Sequence, residues 1–93
     1  MPQVRRISLR KLRSPKESVP KDDRYETVAD GVRRGRTPPI QVEPLEDGTY
    51  RIQDGVRRAV AGREMGKPSI TAEIVRPTTG ALCTVPLAAV QPR

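Results

Sequence analysis

The apolar residues Tyr25, Val28, Ala29 and Val32 fall at i, i+3, i+4 and i+7, the spacing of one face of a helix. Asp22 or Asp23 stands where that helix needs an N-cap, and Gly35 where it must stop. Thr37-Pro38-Pro39 then forces extended chain. The period changes to two at Ile40-Gln41-Val42 and again at Tyr50-Arg51-Ile52. Between them Glu46-Asp47-Gly48 supplies the positive φ of a hairpin turn. A second helix is expected from Arg57 to Met65, stopped by Gly66-Lys67-Pro68. Ile70, Ala72 and Ile74 alternate with Thr71, Glu73 and Val75 as a half-buried strand.

The flanks are less regular. Val4 to Leu9 reads as a short edge strand, with Val4 and Leu12 flanking Ile7 and Leu9 as apolar anchors. Ser14-Pro15 and Val19-Pro20 mark a loop. Leu82-Cys83-Thr84-Val85 is a candidate last strand, and Pro86 to Arg93 carries the weakest signal. The resulting order, β-α-β-β-α-β, predicts a small α+β domain: a mixed β-sheet with two or three packed helices. Its expected extent is residues 1–76, with 77–93 as a strand and tail extension. The second helix has two candidate inward faces: Val56, Ala59 and Val60, or Ala61, Gly62 and Met65. If the latter faces inward, Gly62 lets the helix approach the sheet and Arg57 stays nearer the rim.

Composition limits what such a domain can be. With 34% apolar residues, two tyrosines and no tryptophan or phenylalanine, the core must be built from Val, Ile, Leu and Ala. A 93-residue chain with so thin a core has modest stability or gains it from a bound partner. The formal charge is +7, which favours polyanionic partners. Positive charge gathers at Arg5, Arg6, Arg10, Lys11, Arg13 and Lys16, while residues 36–54 lean acidic. This basic run either contacts a nucleic-acid backbone without reading sequence or is a solvated surface. Aromatic platforms for stacking bases are missing, since Tyr25 and Tyr50 sit in core-like patterns.

With no histidine and one cysteine, Cys83, histidine-based triads, the common zinc patterns and an intrachain disulfide are excluded. Cys83 reads as a packed residue of an apolar strand. Asp22, Asp23, Glu26 and Asp30 read as a capped, solvated helix face, and no metal site is expected there. No apolar run nears the ~20 residues of a membrane span. Ile7-Ser8-Leu9 is too short for a signal-peptide core, which leaves the cytoplasm as the expected compartment.

The segment with chemical content is Asp54-Gly55-Val56-Arg57-Arg58, where a strand gives way to a helix. A glycine turn feeding a helix gathers free backbone N–H groups at the positive end of the helix dipole. Two arginines in that first turn oppose the dipole, and a bound phosphate relieves the conflict. Against this stand two plain readings: Asp54 as an ordinary N-cap, and the arginines paired to Asp54 or Glu64. The same pentapeptide occurs at residues 30–34, where Arg33 and Arg34 sit at a helix C-terminus that already favours cations.

From Ile7-Ser8-Leu9-Arg10-Lys11-Leu12, through Pro39-Ile40-Gln41-Val42, to Tyr50–Ala61 and Gly66-Lys67-Pro68, the chain resembles the ParB/sulfiredoxin superfamily, specifically a ParB N-terminal-like domain. The resemblance implies a triphosphate site, with Gly55, Arg57 and Arg58 on the phosphates of CTP or ATP and Ala61 packing the helix. Val56 stands where the motif usually has Glu, which argues against metal-assisted hydrolysis. Sulfiredoxin chemistry needs a cysteine at this turn, and Cys83 lies far downstream. The helix-turn-helix and dimerisation domains of a segregation ParB do not fit in this length, so a stand-alone or trimmed domain is expected.

The expected function is a module that binds nucleotide phosphates or nucleic-acid backbone, with oligomeric state open. One alternative is a metal-dependent nuclease or nucleotide hydrolase using Mg2+, with Asp54 as candidate catalytic carboxylate. Another is a non-catalytic protein-interaction or toxin-type module of the same fold.

Overall fold

The computed structural model describes residues 3–75 and 84–93. Strand β1 (Gln3–Ser8) pairs antiparallel with β6 (Ser69–Ile74), bringing Ile7 opposite Ile70 and Arg5 opposite Ala72. Strands β4 (Ile40–Pro44) and β5 (Tyr50–Asp54) form the expected hairpin, and β4 also runs parallel to β6. Gly48 turns the hairpin at φ +86°, and Asp47 accepts from the Thr49 amide at 3.0 Å. The sheet is mixed, in the order β1-β6-β4-β5-β2-β7, and β1 is an edge strand as its pattern predicted.

Of the two remaining strands of that sheet, the first was not foreseen as such and the second only at Val85. Leu12–Ser14 (β2) runs parallel to β5, and β7 (Val85–Pro86) runs antiparallel to β2. Only a three-residue 3-10 turn, Leu9–Lys11, separates β1 from β2. A flat sheet would hold these strands about 19 Å apart, four strand spacings, whereas four residue steps reach only about 14 Å. The sheet therefore curls at this end. A second, two-stranded sheet joins β3 (Ser18–Val19) to β8 (Gln91–Pro92) in parallel.

Helix α1 (Asp23–Arg33) starts at Asp22, whose side chain accepts from the Tyr25 amide at 3.0 Å. Its inward face is the expected one: Tyr25, Ala29 and Val32 are buried and Val28 is packed against the core. Helix α2 spans Val56–Glu64 and touches α1, β3, β4, β6 and a 3-10 turn at Leu87–Ala89. It has no single inward face, because Ala59, Val60, Ala61 and Gly62 are all buried. Surrounded on several sides, α2 uses small residues where neighbours crowd it. Gly62 is not the point of closest approach, since a Cβ there would meet only Leu9 Cδ1, at an ordinary 3.8 Å.

The C-terminal residues, weakest in signal, contribute Leu87 and Val90 to the same core as Leu12, Ile40, Val42 and Ile52. Backbone bonds from Gln91 N to Glu17 O (2.9 Å) and from Arg93 N to Val19 O (2.7 Å) fasten this segment to β3. Val85 is in a strand as expected, whereas Leu82 and Cys83 lie outside the described residues. No helix among the described residues is long and apolar enough to cross a membrane.

Candidate anion-binding cleft

The junction of β5 and α2 is fixed by Gly55, the N-cap residue of α2, at φ +105°. A Cβ at this position would lie 2.5 Å from Ile40 Cγ2 and 2.9 Å from Ile40 Cβ. Glycine is thus required twice, by the left-handed backbone and by the neighbouring strand. No side chain caps α2, which corrects the reading of Asp54 as its N-cap. The first N–H groups of the helix, which have no intrahelical partner, remain at its positive pole without a side-chain acceptor.

A cleft of about 310 Å³ opens at this pole. Among its lining residues are four cations, Lys16, Arg24, Arg57 and Arg58, against one carboxylate, Asp54. Val19, Val28 and Val56 give it an apolar wall. Lys16 arrives on the loop after β2, Arg24 on the first turn of α1, and the remaining two on the first turn of α2.

The two motif arginines do different things. Arg58 is largely buried, its side chain 14% exposed. Its Nη1 donates to the carbonyls of Pro38 (2.7 Å) and Pro39 (3.3 Å), and its Nη2 lies 3.4 Å from Asp54 Oδ2. Arg58 is therefore engaged in fastening α2 to the approach of β4, which departs from the expected pair of phosphate ligands. Arg57 has no such anchor, and its Nε is buried with no hydrogen-bond partner. Its charge is felt at Asp22, whose carboxyl is held below its usual value first by the Tyr25 amide and then by Arg57. Glu64, the other suggested partner, pairs with Arg63 at 3.0 Å.

Two of these cations escaped the sequence reading as cleft residues. Lys16 appeared only as the end of the basic run. Arg24 had a readable signal: like Arg57, it is a cation in the first turn of a helix, where the dipole disfavours it. The rest of the basic run lies elsewhere. Arg5, Arg6, Arg10 and Lys11 are exposed on β1 and the following turn, outside the cleft lining. Arg13 is half-buried and donates to Thr84 Oγ1 (2.8 Å) and Thr84 O (3.0 Å), so its guanidinium is already engaged. On α1, Asp22 caps the helix and Asp30 pairs with Arg33 and Arg34. No group of three or more potential metal ligands occurs among the described residues.

Comparison with known proteins gives this geometry a context. The model of the ParB N-terminal domain matches residues 1–89. No curated protein matches the chain in sequence. A C-terminally truncated chromosome-partitioning protein ParB from Caulobacter crescentus, complexed with CTP-γ-S, superposes with a TM-score of 0.67. It is 21% identical, over 83% of this chain and 46% of that one. Sulfiredoxin from Arabidopsis thaliana gives 0.64 at 26% identity, over 83% of this chain and 89% of that one. The truncated Caulobacter ParB complexed to the centromeric parS site gives 0.54 at 24% identity, over 92% and 42%. This chain thus spans less than half the length of those ParB chains.

Proposed function

The chain belongs to the ParB N-terminal domain family, and from that premise we propose that its basic cleft binds the phosphates of a nucleotide. The observation that carries the reading is Arg57, a cation with a buried, unpartnered Nε beside an uncapped helix N-terminus. An anionic ligand in the cleft supplies a counter-charge for this guanidinium through charge-assisted hydrogen bonds. Lys16 and Arg24 add charge from two further elements, so that several phosphate oxygens can be met at once. The apolar wall of Val19, Val28 and Val56 offers a surface for the ribose or base. The CTP analogue carried by the Caulobacter ParB makes a nucleoside triphosphate the first ligand to test.

Asp54 is the one carboxylate among the described residues that line the cleft. It suits Mg2+ bound mainly through a nucleotide's own phosphates, the usual mode for this ion. One exposed carboxylate, with Val56 beside it, is a poor donor set for a nuclease or hydrolase, so binding is better supported than catalysis. The test is a thermal-shift titration with CTP and ATP, with and without magnesium, on the parent chain and on Arg57→Met. A nucleotide-dependent rise in Tm that disappears in Arg57→Met is expected. A rise that persists in the variant overturns the assignment of Arg57, and no rise with either nucleotide overturns the proposed function.

A further inference from the structure

A second cleft, of about 470 Å³, lies at the other end of α2, roughly 13 Å from the first by helix rise. Here the 3-10 turn after β1, the loop from α2 to β6 and the Leu87–Ala89 turn meet. Leu9 and Leu87, both nearly inaccessible, form its floor, with Pro68 and Ala88 exposed at the mouth. The walls are tied together by Leu9 N to Pro68 O at 3.1 Å and by Arg63, whose Nη1 donates to Leu87 O. Arg63 is thereby part of the scaffold.

Arg10 and Lys67 stand exposed on the rim, and no carboxylate is among the described residues that line the cleft. Arg6, beside it on β1, donates to Ser69 Oγ at 3.3 Å. The charge therefore calls for an acidic occupant, but the location argues against a bare phosphate. This is the C-terminal, negative pole of α2, whose last carbonyls already accept from Met65, Gly66 and Lys67 amides. Its floor is apolar rather than a cradle of N–H groups, and no aromatic residue lines it for base stacking. We propose that this cleft docks an acidic peptide, one apolar side chain entering over Leu9 and Leu87 while its carboxylates meet Arg10 and Lys67. Such a partner is engaged independently of whatever occupies the other cleft.

The experiment follows backbone amide shifts of the 15N-labelled chain titrated with the pentapeptide acetyl-Glu-Glu-Leu-Glu-Glu-amide. Shifts are expected at Leu9, Arg10, Gly66, Lys67, Leu87 and Ala88, but not at Gly55 or Arg57. The double variant Arg10→Glu, Lys67→Glu changes exposed side chains only. It is expected to keep its fold, keep any nucleotide response, and weaken the peptide by roughly tenfold or more. Replacing the peptide's leucine by serine is expected to abolish the shifts. Equal binding of the serine peptide overturns the proposal, because the floor then has no role. Stronger movement of the same amides by a short DNA duplex reassigns the cleft to nucleic acid. Concentration-dependent shifts without peptide reassign it to a second copy of this chain.

Discussion

Replacing Arg57 and Arg58 in turn by methionine, which keeps most of each side chain's apolar stem, separates binding from folding. Arg58 donates at 2.7 Å to Pro38 O from a site 14% exposed. A hydrogen bond to a charged group contributes about 1.5–3 kcal/mol, while its pairing with the exposed Asp54 adds about 0–1 kcal/mol. Arg58→Met is expected to lose about 2–3 kcal/mol, which in a domain of this size lowers Tm by roughly 8–24 °C. Arg57 has the opposite balance. Its buried Nε has no partner, so Arg57→Met removes a desolvated donor and is expected to leave Tm unchanged or raised by a few degrees.

Ligand closes the gap between the two variants. At a hundredfold excess over Kd, a nucleotide stabilises the parent chain by about 2.7 kcal/mol. Arg57→Met is expected to forfeit most of that gain, while Arg58→Met keeps it on a lowered baseline. The assay is urea unfolding of all three chains with and without CTP. Equal loss of intrinsic stability in the two variants would refute the division of labour, because Arg57 would then also be a structural residue.

Further outcomes follow from other positions. Gly55→Ala is expected to cost about 2–5 kcal/mol, about 1–2 for the left-handed backbone and about 1–3 for overlap with Ile40. Gly48→Ala, at φ +86° with nothing near its Cβ, should cost only the backbone part by urea midpoint. Gly62→Ala is expected to stabilise by up to about 1 kcal/mol through helix propensity, since its Cβ meets only Leu9 Cδ1 at 3.8 Å. Glu43 is buried, 2.6 Å from Arg51 Nη1 and 2.5 Å from Gln53 Nε2. Glu43→Leu alone should cost about 3–5 kcal/mol by stranding Arg51, and Glu43→Leu with Arg51→Met should recover most of it. Asp22 has a folded pKa below its usual 3.8, chiefly through the Tyr25 amide. Its contribution is complete above the unfolded value and fades as pH falls through the folded one. The Tm difference between parent and Asp22→Ala should therefore shrink below about pH 4.

What could be read from the chain divides along physical lines. β1, the β4–β5 hairpin, α1 and β6 each carry a period long enough to be seen, and each lies where the period placed it. β2, β3, β7 and β8 are two or three residues long, and their partners lie far away in sequence. Leu12 looked like a flanking anchor because nothing local says that it meets Tyr50. The inward face of α2 could not be chosen from period because that helix is covered on more than one side. At the cleft, Gly55 and the arginine pair were visible, whereas the separate fates of Arg57 and Arg58 were not. Adjacent residues on a helix point about 100° apart, and which one meets Pro38 depends on the path of the α1–β4 connection.

The repeated pentapeptide shows why geometry rather than composition makes the site. In its first copy the whole segment is at the end of α1, so Asp30 lies one turn behind both arginines. It pairs with Arg33 at 3.5 Å and with Arg34 at 3.2 Å, and both charges are met locally at the pole that favours them. In the second copy the backbone at Gly55 swings to φ +105°, leaving Asp54 in a strand and the arginines on a helix. Asp54 still reaches Arg58 at 3.4 Å, but Arg57 no longer has an aspartate one turn behind it. One left-handed glycine thus converts a self-neutralising cap into a motif whose first arginine has no ion pair with its own aspartate, at a positive pole. Ile40, packed where a Cβ would have to go, holds that glycine in place.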